Sequence, residues 1–250
     1  MMPVDFAAIA AGLPDPFKLL IRETAESTND ELRALALTGA PDGLVLLAKC
    51  QTAGRGRRGA AWFSPVGESL AFSVLVRPQE PKALWPRLAL AAGLALAEAA
   101  ESFGIQAGIK WPNDVWIRGR KVAGILVEAG ADFAVVGIGL NVNTLEFPPE
   151  VAEIATSLRL ETNSSLALPE VLAMVLRHFA RRRCQIGQEF DELLDGIRER
   201  CVLSGNPVSL STSQGPRTGT VEGIGAGGEL MLRAESGIER LIQADDVRLL

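Results

Sequence analysis

Residues 51–65 read Gln-Thr-Ala-Gly-Arg-Gly-Arg-Arg-Gly-Ala-Ala-Trp-Phe-Ser-Pro, with Arg55, Arg57 and Arg58 threaded between Gly54, Gly56 and Gly59. The glycines spell G-x-G-x-x-G behind an apolar run (Leu44 to Cys50), the spacing of a dinucleotide-binding turn. Such a turn works by opening a helix inside its glycines, so that the helix N-terminus faces a pyrophosphate. Here the chain runs on through Ala-Ala-Trp-Phe-Ser-Pro-Val-Gly, which carries turn signals and no apolar period of 3.6. A dinucleotide turn also relies on backbone N–H groups, whereas each arginine adds a planar fork of donors suited to phosphate or carboxylate oxygens. A solvated basic loop is one reading. A mobile Arg/Gly loop that orders around an anionic ligand accounts better for the arginines.

The rest of the 250 residues describes a folded protein able to bury a substantial core, with 48% hydrophobic residues and a positive mean hydropathy. A formal net charge of −5 argues against general nucleic-acid binding, so basic residues count only where they cluster. Cys50, Cys184 and Cys201 are widely spaced, form no C-x-x-C pair and suit a reducing compartment. The first sixteen residues, MMPVDFAAIAAGLPDP, lack a basic n-region and meet acid and proline early, so no secretory leader is expected. The longest apolar run, Leu88 to Ala97, is far short of the roughly 20 residues a membrane span needs. The expected location is the cytoplasm. The single histidine, His178, sits in RHFARRR (177–183), whose arginines read as the exposed face of a helix; multi-histidine metal sites are excluded.

Along the chain, residues 23–38 read as a turn leading into a helix capped by Ser27, Thr28 or Asn29. Strands are expected over 43–50 and 69–77, the latter after the Arg/Gly loop. A helix over 84–102 follows, rich in alanine and leucine. Further strands are expected over 105–110, 121–129 and 133–141, the last two as a hairpin, then helices near 169–187 and 189–200. From Leu203 the texture changes to short β-type runs broken by Gly, Pro, Asn and Ser, the cadence of a small antiparallel barrel of about five strands. A second G-x-G-x-x-G (Gly223, Gly225, Gly228) falls between two of those strands and reads as a hairpin turn. The expected division is residues 1–202 and 203–250.

Four segments carry polar detail on this apolar frame: Ser27-Thr28-Asn29, the Gln51–Trp62 loop, the run from Lys110 to Glu128, and Val135 to Asn143. The chain has five lysines against twenty arginines. Two of the five, Lys110 and Lys121, bracket the turn Trp111-Pro112-Asn113-Asp114. Lys121 begins a strand that otherwise reads as buried. It is either an edge gatekeeper or a charge focused on whatever fills the cleft. Asn113 and Asp114 either close the turn or line a site. Trp62 and Trp111 serve the core or stack on a planar ring, and Ser27-Thr28-Asn29 caps a helix or binds.

Taken together, these segments resemble the biotin protein ligases, in the short form without an N-terminal DNA-binding domain. The resemblance rests on Ser27-Thr28-Asn29; on Gln51 with GRGRRG (54–59) and Trp62-Phe63-Ser64-Pro65; and on KWPND (110–114) with RKVAGILVE (120–128). It continues through GIGLNVN (137–143) and Ala155-Thr156-Ser157-Leu158. It implies an α+β fold: a mixed sheet with helices, as in class II tRNA synthetases, forming the catalytic domain, plus a small C-terminal SH3-like β-barrel. The implied activity is ATP-dependent formation of biotinyl-5′-AMP, followed by transfer of biotin to a lysine of a biotin carboxyl carrier protein or domain of a carboxylase. ATP with Mg2+ is the co-substrate and biotin the substrate.

On the same resemblance, Ser27, Thr28, Asn29 and Gln51 hydrogen-bond the ureido head of biotin, while Gly124 allows close approach. Arg55, Gly56 and Arg57 fold over the ligand. Lys121 meets both the biotin carboxylate and the α-phosphate, and with Arg57 carries the catalytic charge. The ATP side is assigned to Arg55, Arg58, Trp62, Asn113, Lys121 and Asn141. No dedicated metal site is implied; Asp114 is a candidate for orienting Lys121 or the metal. Ala60-Ala61 departs from the basic or polar residues common there, which puts triphosphate contacts in doubt. Ser27 comes too early for an N-terminal helix-turn-helix, so DNA is not an expected partner; the short apolar runs argue against a membrane, and a homodimer is left open. A lipoate or octanoate ligase would share the fold, but the Arg/Gly loop points to biotin. A ligand sensor that consumes no ATP is the reading from a different class.

Overall fold

The structure, a computed structural model, describes residues 5–6, 10 and 12–250. The segment 1–16 read for leader signals thus lies partly outside the described residues.

The fold is built on a seven-stranded mixed sheet. Its strands are β1 (Lys18–Ala25), β2 (Leu44–Gln51), β3 (Ser69–Val76), β4 (Gly108–Lys110), β5 (Asp114–Ile117), β6 (Arg120–Ala129) and β7 (Ala134–Asn141), in the order β1-β2-β3-β7-β6-β5-β4. Only β1 and β2 run parallel. A parallel pair needs a crossover, supplied by helix α1 (Thr28–Leu37), which Ser27 caps by accepting from the Asp30 N–H. β3 sits mid-sheet with all eight residues buried. That is why SLAFSVLV reads as continuous rather than alternating.

One face of the sheet carries Phe72, Ala123, Ile125, Ile138 and Leu140 into the main core. There they meet α2 (Arg87–Glu101) and α4 (Leu168–Arg182), which follows a short α3 (Leu158–Thr162), and then α5 (Phe190–Arg200). α2 is nearly all alanine and leucine, with eleven buried residues, so it lies close to the sheet: a Cβ on Gly93 would stand 3.7 Å from Ile125 Cδ1. Truncating a fully buried leucine here, such as Leu88 or Leu94, would cost about 2–5 kcal/mol. On the opposite face, α1 seals one end with Leu32 and Ala36 against Leu46, Leu75, Phe133 and Val135. The other end of that face is open.

Residues 207–249 form a second, antiparallel sheet of five strands: β8 (Pro207–Thr212), β9 (Gly215–Ile224), β10 (Leu230–Ala234), β11 (Gly237–Leu241) and β12 (Asp246–Leu249), ordered β11-β10-β9-β8-β12. Its apolar residues Val208, Leu210, Val221, Leu230 and Leu232 join the main core. Trp111 Nε1 donates to the Gly228 carbonyl at 2.9 Å, stitching the two sheets together. Gly228 belongs to the second G-x-G-x-x-G, which turns the β9–β10 hairpin as expected.

Several expectations need correction. Residues 23–25, expected in a turn, are the end of β1, whose parallel pairing with β2 makes them strand. β5 has four residues, too few to show a period, and the strand expected over 105–110 shrinks to Gly108–Lys110. The arginines of 177–183 do not share one exposed face. Arg177 and Arg181 are exposed, but Arg182 is buried on Glu98, and both Asp42 oxygens accept from Arg183 at 2.7 Å.

Candidate active site

The open end of the sheet is shaped by small residues brought into rows by register. Ala71, Gly139 and Gly124 are successive neighbours across β3, β7 and β6, and Ser73, Gly137 and Leu126 form the next row. Above them lies a cavity of about 370 Å³. The first row is small because the Trp62 ring lies over it. A Cβ on Gly139 would stand 2.2 Å from the indole, and one on Gly124 would stand 3.2 Å from it. In the second row, a Cβ on Gly137 would stand 2.3 Å from Asn29 Oδ1. Glycine is required at both β7 positions by close approach, not by backbone conformation.

At one end of the cavity is a hydrogen-bond network. The N–H and hydroxyl of Thr28 both donate to Gln51 Oε1, at 3.0 and 3.2 Å. The Ser73 hydroxyl lies 2.7 Å from Thr28 Oγ1 and 2.6 Å from Asn29 Oδ1. Asn29 Nδ2 donates to Glu128 Oε2 at 2.7 Å and to the Leu126 carbonyl at 3.3 Å. Ser27, Thr28 and Asn29 are all buried. Cap chemistry accounts for Ser27, whereas Thr28 and Asn29 are held by this network instead.

The Arg/Gly loop forms the other wall. No α-helix opens within it; a single 3-10 turn spans Arg57–Gly59, with Arg58 and Gly59 at φ 59° and 74°. The loop closes on itself through Gly56 N–H to the Ala60 carbonyl (2.6 Å) and Trp62 N–H to the Gly54 carbonyl (2.9 Å). Arg55 Nη2 reaches Asp30 Oδ1 at 2.5 Å and lies 3.7 Å from Glu128. Arg57 donates to Asn113 Oδ1 at 3.0 Å and to the Ala244 carbonyl at 2.5 Å, and Arg58 pairs with Asp245.

Lys121, second residue of β6, projects Nζ to 2.7 Å from Asp114 Oδ1 and 5.7 Å from the centre of the Trp62 ring. Asn113 is fixed by donating to the Ile125 carbonyl at 2.9 Å. Lys110 lies outside the cavity lining and buried against Trp116. Burial pushes its ammonium below the ordinary lysine range, and the carboxylates of Asp114 and Asp246 oppose that shift. Burial pushes the Asp246 carboxyl up, but the Arg248 hydrogen bond and the Lys110 charge outweigh it and hold the group below its usual value.

The cavity thus gathers Ser27, Thr28, Asn29, Gln51, Arg55, Gly56, Arg57, Arg58, Trp62, Asn113, Asp114, Lys121 and Gly124. Asn141 is not among its lining residues: it is buried and donates to the Thr156 carbonyl at 3.0 Å, tying β7 to the segment before α3. Trp111 is core. Ser73, Glu128, Asp245 and Asp246 escaped sequence reasoning. Ser73 left a signal, a lone hydroxyl in an apolar strand. The two aspartates left none, for they arrive from the far end of the chain. Among the described residues, no group of three or more His, Cys, Asp or Glu could hold a metal ion. Nor is any helix there long and apolar enough to cross a membrane.

A mixed sheet with a floor of small residues thus sets a buried amide-and-hydroxyl network and four converging cations on one cavity, an arrangement suited to a ligand with a hydrogen-bonding apolar end and an anionic end. Residues 21–143 match the Biotin/lipoate A/B protein ligase family. A biotin--[acetyl-CoA-carboxylase] ligase of Paracoccus denitrificans is 35% identical over 237 residues, covering 89% of this chain and 96% of its own. The enzyme of that name from Mycobacterium tuberculosis is 38% identical over 198 residues, covering 76% of this chain and 73% of its own. The Aquifex aeolicus biotin protein ligase, solved in complex with biotin and ATP, superposes with a TM-score of 0.85 at 33% identity, over 93% of this chain and 99% of that one. The chain belongs to the Biotin/lipoate A/B protein ligase family and, within it, to the biotin protein ligases.

Proposed function

We propose that this enzyme joins biotin to ATP as biotinyl-5′-AMP and then transfers the biotinyl group to one lysine of a biotin carboxyl carrier protein or domain of a carboxylase. The observation that carries this reading is the convergence, on one 370 Å³ cavity, of the Thr28–Asn29–Gln51 network with the cations Arg55, Arg57, Arg58 and Lys121. The network offers donors and acceptors to a ureido head, the small-residue floor accepts an apolar bicycle, and the cations meet a carboxylate and phosphates.

In the first step a biotin carboxylate oxygen attacks the α-phosphorus in line, and the bond to the β-phosphate oxygen breaks to release pyrophosphate. Negative charge grows on the α-phosphate oxygens, where preorganised cations contribute most. Lys121 serves both the carboxylate and the α-phosphate, and Arg57 holds the adenylate. In the second step the neutral amine of the acceptor lysine attacks the acyl carbon, the acyl–oxygen bond to AMP breaks, and the amide nitrogen loses a proton to solvent. Magnesium enters this reading only as the ion carried by ATP, and Asp114 is assigned to orienting Lys121.

Residues 203–250 are read as a separate SH3-like module behind a catalytic domain of residues 1–202, and the enzyme as cytoplasmic, with no DNA or membrane partner needed for the reaction. Whether a homodimer forms is a matter for sedimentation. The test of function is transfer of labelled biotin to a carrier domain, with and without ATP, alongside pyrophosphate release. ATP-dependent label on one carrier lysine is the expected result. Ligand binding without pyrophosphate release would make the protein a sensor, and transfer of lipoate in preference to biotin would reassign the substrate.

A further inference from the structure

Every cation lining the cavity already has a partner. Arg55 is paired with Asp30, Lys121 with Asp114, Arg57 with Asn113 and the Ala244 carbonyl, and Arg58 with Asp245. The first three meet side chains of α1, of β5 and of the turn before β5, and from the C-terminal segment only a backbone carbonyl. The fourth differs. Asp245 belongs to the connection between β11 and β12, it lines the cavity itself, and it reaches Arg58 from 187 residues away in sequence. Arg58 has no other hydrogen-bond or ion-pair partner among the described residues, and its backbone sits in the left-handed region at φ 59°.

A carboxylate on a phosphate-binding guanidinium occupies the same fork that a phosphate would use. We propose that Asp245 is an intramolecular counter-anion for Arg58, which the polyphosphate of the nucleotide must displace, and that it thereby sets the affinity of the site for nucleotide without affecting biotin. This rests on the reading of the cavity as a biotin and ATP site. A triphosphate outcompetes a single carboxylate by its greater charge. A ligand with one negative charge does not, so Asp245 discriminates against small monoanions at the nucleotide end. Because Asp245 comes from the C-terminal sheet, that sheet contributes to nucleotide selection and not only to the core.

The pair is partly exposed, with 54% of the Arg58 and 26% of the Asp245 side chain accessible. An exchange of partners there is worth up to about a fivefold change in affinity. The experiment is calorimetric titration of ATP, and separately of biotin, into wild type, Asp245→Asn and Asp245→Glu. Asp245→Asn is expected to bind ATP about three- to fivefold more tightly with unchanged biotin affinity, and Asp245→Glu to return to wild type. Unchanged or weaker ATP binding by Asp245→Asn overturns the proposal while leaving the function intact. A parallel shift in biotin affinity also overturns it, since the carboxylate would then be a strut for the whole loop. Failure of wild type to bind ATP both with and without biotin present would sink the ligase reading, and this proposal with it.

Discussion

Lys121 Nζ stands 2.7 Å from Asp114 Oδ1, across the β5–β6 pairing and at the edge of the cavity. The ammonium is held by the last residue of KWPND, so the two lysine-bearing motifs form a single device. If Lys121 meets the α-phosphate as proposed, Lys121→Ala should slow adenylate formation by a hundredfold or more, about 3 kcal/mol. Pyrophosphate release checks it; a near-normal rate from the folded variant would end the assignment.

Gly137 is expected to tolerate no side chain. Alanine there would push its Cβ into Asn29 Oδ1, and Asn29 would lose its place beside Ser73 and Glu128. Losing one such buried polar partner costs about 1–3 kcal/mol, so biotin binding to Gly137→Ala should weaken about tenfold or more. Titration calorimetry measures it, with circular dichroism confirming the fold.

The loop from Thr52 to Trp62 contains Gly54, Gly56 and Gly59 and places Arg55, Arg57 and Arg58 close together. Glycines lower its intrinsic order, and the partly exposed pairs of Arg55 with Asp30 and Arg58 with Asp245 hold it only weakly. Trypsin should cut at Arg55, Arg57 or Arg58 readily in the free protein and much more slowly with biotin and ATP both present. Equal digestion under both conditions would contradict the closing of this loop on its ligand.

Arg57 bridges Asn113 and the Ala244 carbonyl, so it closes the cavity wall between the turn before β5 and the C-terminal sheet. Arg57→Gly should still form the adenylate but hold it about ten- to a hundredfold less well, the worth of one charge-assisted contact at about 1.5–3 kcal/mol. Released biotinyl-AMP acylates any accessible lysine. Bystander proteins mixed with the variant, biotin and ATP should therefore become labelled; selectivity equal to wild type would refute the retaining role.

Glu98 anchors α2 to α4. Arg182 grips it through two nitrogens and His178 Nδ1 lies 3.2 Å away. Burial raises its carboxyl pKa, but the Arg182 hydrogen bond and the charges of Arg182, His178 and Arg200 outweigh this, leaving it below the ordinary value of 4.5. With the folded value depressed, the stabilisation is complete above pH 4.5 and is lost as pH falls through that lower value. Glu98→Gln should lower stability at pH 7 by roughly 3 kcal/mol, with Arg182 left underpaired. The gap to wild type should begin to narrow below pH 4.5 and close as pH falls through the depressed folded value. Denaturant melts at both pH values decide the matter; a gap independent of pH would show that packing, not charge, holds the junction.

The residues that line the cavity were legible where their signal is local. The Arg/Gly loop announced an anion because guanidinium groups and glycines are uncommon together. KWPND with Lys121, and the run Ser27 to Asn29, carried enough residue-type detail to point to one cavity. The longer helices and strands were legible because their apolar periods are long enough to measure. β5 and β1 were not, since a four-residue strand shows no period and a strand with charged residues needs its neighbour to be recognised.

By itself, then, the sequence marked out segments that come to line one cavity, for their residue types stand close together along the chain. Tertiary structure decided the rest. Strand register, which no local pattern encodes, aligned Ala71, Gly139 and Gly124 into a floor and set Ser73 under Asn29. Packing turned Asn141 toward Thr156 and away from the cavity, and buried Arg182 on Glu98 where the helix pattern suggested solvent. It also brought Asp245 to Arg58 across 187 residues, a pairing that only the docking of the second sheet on the first can create.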